Sequence, residues 1–221
     1  MSYLETLNRP PHAPLPLGPK LWREVKRPFR RRFQTRPAAA PAAAPQAAAF
    51  ATFDPTRATV EPEARPLLEK LVREARRHPG PIIEIGTLMG ITTTTIALNK
   101  APDQKVITVD KYCWNPWGIS SEEHQALAAQ VLRYLVDTGH VEQVVMCKNE
   151  FFETYSGPPP ALVFLDAIHD YEETKKDIEW ACRVGAATIS GHDYSADFPG
   201  VVEVVDEFGG PRELLGSVWA L

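Results

Sequence analysis

A chain of 221 residues, 44% apolar and 24% charged, is long enough for one well-packed domain with some extra length and short for two. Its net charge of -4 conceals an asymmetry: nine Lys and Arg against two acids fall in the first fifty residues, so the remainder is strongly acidic and a poor surface for nucleic acid. Three cysteines, Cys113, Cys147 and Cys182, lack the spacing of a disulfide framework or a zinc site and predict a reducing, cytoplasmic setting. No apolar run approaches bilayer length, and the first residues lack the apolar core of a secretory signal.

Residues 1–49 predict a disordered tail, basic at first and almost pure Ala and Pro over Ala38–Ala49, with the folded domain over 50–221. Within it, Lys20–Arg36 mixes arginines with Leu21, Trp22, Val25, Phe29 and Phe33 and is broken by Pro28. That pattern suits a solvated tail, a flap or homo-oligomer contact, or an anchor on a membrane surface. From Glu61 a helix is expected, with Pro62 in its first turn and Leu67, Leu68, Leu71, Val72 and Ala75 on one face up to Pro79-Gly80.

The segment P-I-I-E-I-G-T-L-M-G-I-T-T-T-T-I-A, Pro81–Ala97, reads as a short buried strand, a glycine turn and a helix start. Gly86 permits the tight turn at the strand's end, and Gly90 lets the helix approach the sheet. Residues Glu84 to Gly90 are expected to face the crevice in which doubly wound sheets hold ligands. Glu84, Gly86, Thr87, Gly90 and Thr92 are the cofactor-contacting candidates of this turn. Leu88 and Met89 stand where a dinucleotide loop needs another glycine, and no Gly-Lys-Ser/Thr follows to hold a triphosphate. A nucleoside without phosphates remains, S-adenosylmethionine foremost.

A strand over Lys105–Asp110 follows, then a helix over Ser120–Thr138 opened by a Ser120/Glu123 capping box and closed by Gly139, and a third strand over Val141–Cys147. Ala161–Asp166 is a further strand. Tyr171–Cys182 is a helix with Ile178, Ala181 and Cys182 inward, and Ala186–Ser190 a strand. Gly200–Phe208 reads as a helix and Leu214–Ala220 as a terminal strand, short for an antiparallel hairpin. This alternation predicts an α/β fold, a doubly wound and mostly parallel sheet with helices on both faces and a short closing strand.

Asp110, at the end of the second strand, is placed to accept ribose hydroxyls. Asn149 and Phe151 lie where the adenine is expected. Trp114 and Trp117 suit either pocket walls or core packing. A second cluster joins F-L-D-A-I-H-D-Y-E, Phe164–Glu172, to S-G-H-D-Y-S, Ser190–Ser195. Both follow strands, so Asp166, His169, His192 and Asp193 should converge beside the crevice, a donor set for a divalent cation. The plainer reading makes Asp166 a helix cap and gives His192 and Asp193 loop hydrogen bonds. Asp166, His169 and His192 would also suit the iron(II) of an oxygenase, and a nucleoside-binding scaffold without catalysis is a third reading.

The order E-I-G-T-x-x-G, V-D, F-L-D-A-x-H-x-Y-E, G-H-D-Y and F-P-G-V-V-x-V-V-D-E-F resembles the S-adenosylmethionine-dependent methyltransferases of the doubly wound, class I type. Within them it is similar to the branch of macrocin and related sugar O-methyltransferases and cephalosporin-hydroxylase-like proteins, from about Glu61 to the end. The resemblance implies methyl transfer to a hydroxyl of a sugar or other polyhydroxylated small molecule, aided by Mg2+ or another divalent cation. By position it implies Asp166, Asp193 and His192 as metal ligands, with Asp166 also at the reacting groups, and His169 as the base. His192 departs from the carboxylate of the macrocin-type enzymes. Chemistry supplies a separate reason for a cation: imidazole, with an ordinary pKa of about 6.5, is far too weak to ionise an aliphatic alcohol, and each unit of mismatch costs about 1.4 kcal/mol.

Overall fold

The computed structural model describes Asp54, Thr56 and residues 58–221, so the tail expected over 1–49 lies outside the described residues. Helix α1 (Arg65–Ala75) starts four residues later than expected, because residues 62–64 form turns and Pro66, not Pro62, takes the first-turn position. Its face of Leu67, Leu68, Leu71, Val72 and Ala75 is buried as the periodicity requires. Then follow β1 (Ile82–Ile85), α2 (Ile91–Asn99), β2 (Val106–Asp110), α3 (Ser121–Asp137), β3 (Val141–Val145) and α4 (Lys148–Thr154). The second half is β4 (Leu162–Leu165), α5 (Tyr171–Arg183), β5 (Ile189–Gly191), α6 (Pro199–Glu207), β6 (Glu213–Leu215) and β7 (Val218–Ala220).

These strands form one seven-stranded sheet in the order β3-β2-β1-β4-β5-β7-β6. The first five run parallel, while β7 pairs antiparallel with both β5 and β6. The terminal segment is therefore a hairpin and not one closing strand: Gly216 adopts a left-handed φ of 58° and reverses the chain between β6 and β7. Strand order reverses between β1 and β4, the switch point at which an open α/β sheet leaves a crevice beyond its strand ends.

Period-two alternation divides the core. Ile82, Val106, Leu162, Phe164 and Val218 meet α1 and Ile96 of α2 on one face. Ile83, Ile85, Val163, Leu165 and Ile189 meet Ile178, Trp180 and Ala181 of α5 and Val201, Val204 and Val205 of α6 on the other. Cys182, expected inward, is exposed, because the buried arc of α5 passes through Trp180 and Ala181 instead. No described helix is long and apolar enough to cross a membrane.

Candidate active site

The turn after β1 is held by a neighbouring carboxylate. Gly86 has φ 101°, and a Cβ there would lie 1.9 Å from the carbonyl oxygen of Asp166, so only glycine lets β1 and β4 end side by side. Thr87 and Leu88 both donate their backbone N–H to Asp110 Oδ2 at 3.0 Å, and Tyr112 donates to Asp110 Oδ1 at 2.7 Å. Asp110 thus builds the loop from the end of β2 while bordering the cavity, and it keeps lone pairs for a further hydrogen-bond donor. His124 of α3 braces the loop from behind, with Nε2 3.1 Å from the Leu88 carbonyl oxygen.

Four cofactor-contacting candidates lie under this loop and do not line the cavity. Glu84 shares the sheet face of Ile82 and points beneath α2, where it accepts hydrogen bonds from Thr108 at 2.6 Å and from Thr93. Burial pushes its pKa up to about 8, against the pull of those hydroxyls, and Oε1 has no partner among the described residues. Thr87 shares a 2.6 Å hydrogen bond with Thr108, and Thr92 is buried in the first turn of α2. Gly90 makes room for Leu132 of α3, 2.7 Å from a hypothetical Cβ, where close approach to the sheet was expected.

Beyond the ends of β4 and β5 the polar cluster does assemble. His169 Nε2 stands 3.0 Å from Asp193 Oδ2 and 3.5 Å from Asp166 Oδ1. His192 Nδ1 stands 3.4 Å from Asp166 Oδ1 and 3.5 Å from Asp193 Oδ1. Behind it, His192 Nε2 lies 2.7 Å from Glu61 Oε2. Burial disfavours charge on His192, but hydrogen bonding to Asp166 and Glu61 and the attraction of Asp166 and Asp193 outweigh it and raise the pKa to about 10. For Glu61, burial is likewise outweighed by hydrogen bonds from His192 and Ser217, which lower it to about 2. Asp193 carries a left-handed φ of 61°, a conformation an acid tolerates and one that turns its carboxylate back toward His169.

One cavity of about 680 Å³ joins the two halves, running from Gly86, Leu88 and Asp110 to Asp166, His169, His192 and Asp193. Asn149 and Trp114 line it as expected sites, whereas Trp117 packs edge-on against His124 and Phe151 sits in the core against Trp180. Sequence reasoning missed Lys148 and Glu173 on the same wall. Lys148, at the start of α4, is buried and pairs with Asp177 Oδ1 at 2.5 Å and Glu173 Oε2 at 3.2 Å. A lysine right after a strand and two acids four residues apart on the next helix are a weak signal. Phe198 was missed as well; it lies edge-on to the His169 ring, 4.8 Å between centroids, and lines the cavity beside it.

The family model described as a methyltransferase domain matches residues 83–194, from β1 through both histidine motifs. The chain belongs to that family. Among solved structures, this methyltransferase-domain chain is 25% identical to the cofactor-bound Rv0187 from MTB, over 79% of this chain and 80% of that one, with a TM-score of 0.54. The O-methyltransferase TomG from Streptomyces achromogenes, solved with SAM, is 21% identical over 73% and 74%, TM-score 0.56. An O-methyltransferase from Bacillus cereus in complex with SAH is 22% identical over 74% and 76%, TM-score 0.56. The latter two share the class I methyltransferase fold. No curated protein matches the chain.

The donor set fits a divalent cation. Asp166, His169 and Asp193 bring one ligand atom each within 4.8 Å of one another. His169 Nε2 is buried and close to both carboxylates, yet aligned for a hydrogen bond with neither. Carboxylate oxygens with an imidazole nitrogen around a common point suit a hard or borderline metal. Either imidazole could complete the pair of carboxylates: His192, expected as the third ligand, stands outside that triad but turns Nδ1 to the same two carboxylates, and a cation on His192 would leave His169 Nε2 without a metal.

Proposed function

We propose that this chain is an S-adenosylmethionine-dependent O-methyltransferase acting on a hydroxyl of a sugar or other polyhydroxylated small molecule, with a divalent cation held at Asp166, Asp193 and His192. The observation that carries this reading is the single cavity that places Gly86 and Asp110 in continuity with the Asp166–His169–Asp193 cluster. TomG and the Bacillus cereus enzyme were solved with SAM and SAH in the same fold, which supports the nucleoside half. An oxygenase at Asp166, His169 and His192 would leave the Asp110-braced loop and its arm of the cavity without a purpose.

In this reading Asp110 and the Gly86 turn hold the ribose, and Asn149 meets the adenine edge. The sulfonium methyl is then directed along the cavity toward the strand-four and strand-five ends. Asp166, Asp193 and His192 would hold the divalent cation, which would supply Lewis acidity to an acceptor hydroxyl. The hydroxyl oxygen attacks the methyl carbon, the carbon–sulfur bond breaks, and the proton passes to His169 Nε2. His169 suits the proton acceptor because its ring lines the cavity and Nε2 is engaged in no hydrogen bond among the described residues, whereas His192 Nε2 is taken by Glu61. Free thiols at Cys113, Cys147 and Cys182 suit a reducing compartment such as the cytoplasm.

The test is methyl transfer from S-adenosylmethionine to panels of glycosides and catechols, with and without Mg2+, read as product mass. Methylated glycoside formed only with the cation is the expected result. Turnover of catechols alone would overturn the acceptor class, and no binding of S-adenosylhomocysteine in calorimetry would overturn the whole reading.

A further inference from the structure

We propose that Glu61 is a positioning residue, the carboxylate that decides which ring nitrogen of His192 faces Asp166 and Asp193. It rests on the cation reading above and concerns a residue outside the matched family region of 83–194. The main chain of His192 is already fixed from both sides: its N–H donates to the Leu165 carbonyl at 3.0 Å, and its carbonyl accepts from Trp219 Nε1 at 3.0 Å. What is left to set is the ring. Glu61 Oε2 takes the Nε2–H at 2.7 Å, while Glu61 Oε1 is anchored by the N–H of Ser217 at 3.0 Å and its hydroxyl at 2.6 Å.

That arrangement leaves Nδ1 toward the two carboxylates, 3.4 Å and 3.5 Å away, where a cation held between them would take the place of the second proton of the imidazolium. A carboxylate that takes the far N–H of a ligating histidine fixes its tautomer and orientation, and losing such a partner typically weakens metal binding about 10- to 100-fold. The segment before α1 and the β6–β7 turn, 156 residues apart, thereby meet behind the site, with Glu61 as the tie.

Two substitutions separate this role from a merely structural one. In Glu61→Gln the Ser217 backbone N–H can only donate, so the amide oxygen turns to Ser217 and the NH2 group faces Nε2. The ring proton is then driven to Nδ1, against the cation. In Glu61→Ala water can accept from Nε2–H, and the ring keeps its productive tautomer part of the time. The expected result, with Mn2+ titrated by electron paramagnetic resonance, is a loss of about 10- to 100-fold for E61Q and a smaller loss for E61A. S-adenosylhomocysteine affinity should be unchanged in both. A packing role predicts the reverse order, since Gln is the isosteric replacement, and that order would overturn the inference. Equal Mn2+ affinity in wild type and E61Q overturns it too and leaves the cation reading intact, whereas no Mn2+ binding by wild type overturns both. On the unaltered protein with Mg2+, nitrogen-15 NMR should find the His192 proton on Nε2; a proton on Nδ1 would sink the proposal without any variant.

Discussion

His169 and His192 approach the same two carboxylates, but Phe198 lies against the first ring and Glu61 behind the second, so equal sequence signals lead to unequal chemistry. His169→Ala should lower kcat by about 100- to 10,000-fold while leaving the calorimetric affinity for S-adenosylhomocysteine unchanged, the range expected for a positioned acid–base group. Asp110→Asn should do the opposite. Asn has one acceptor oxygen where Asp110 serves Thr87 and Leu88 with one oxygen and Tyr112 with the other, so an N–H is orphaned. A loss of about 1–3 kcal/mol in unfolding free energy, measured by denaturant titration, should accompany weaker nucleoside binding. Glu84 makes a pH prediction. Its pKa rises from 4.5 to about 8 on folding, so between those values the native state holds a proton that the unfolded chain has released. Stability from this group is complete below about 4.5 and lost as the pH rises through about 8. Glu84→Gln, which keeps an acceptor for Thr93 and Thr108, should flatten that decline in melting temperature between pH 4.5 and about 8. Acids at strand ends look alike in sequence. Glu84 is in register with Thr108, and Asp110, two residues past Thr108, shares that face but lies beyond the last β1–β2 pair, so it reaches the cavity rim while Glu84 stays beneath α2, a difference of depth along the strand that an apolar run conceals.

Between elements, the tightest junction is β1 with β4, where Gly86 lies under the Asp166 carbonyl. Gly86→Ala should cost about 2 kcal/mol or more, from both the left-handed φ and the 1.9 Å approach, and should weaken nucleoside and cation binding together because both strand ends shift. The buried Lys148–Asp177 pair ties α4 to α5. Lys148→Met should cost about 3–5 kcal/mol in denaturant unfolding, because Asp177 is left buried and uncompensated. Elements with local signals were legible in the sequence. The Ser120–Glu123 capping box forms with both of its hydrogen bonds and starts α3 where expected, since everything it needs lies within four residues. Helix α4 was not legible: it spans seven residues, no side chain caps it, and it is fastened by Asp177, 29 residues away. The hairpin was missed because its strands have three residues each, too few for alternation to register.

At the scale of the molecule, the regular strand–helix alternation was enough for the doubly wound sheet, since a parallel sheet must be covered on both faces whatever its side chains do. It was enough also for the meeting of Asp166 with His192 and Asp193, because adjacent parallel strands finish on one edge. The tie from Glu61 was beyond reach, as its 131-residue separation from His192 is closed by tertiary packing and by nothing in the local pattern. The same strand-end geometry has distributed the thiols unevenly. Cys113 and Cys147 open into the cavity, and Cys182 faces outward from α5. Filling the hollow should therefore shield the first two from a small alkylating reagent and leave the third as reactive as before. The labelling ratio, counted peptide by peptide, turns the native cysteines into an occupancy gauge that works for any ligand, turned over or not.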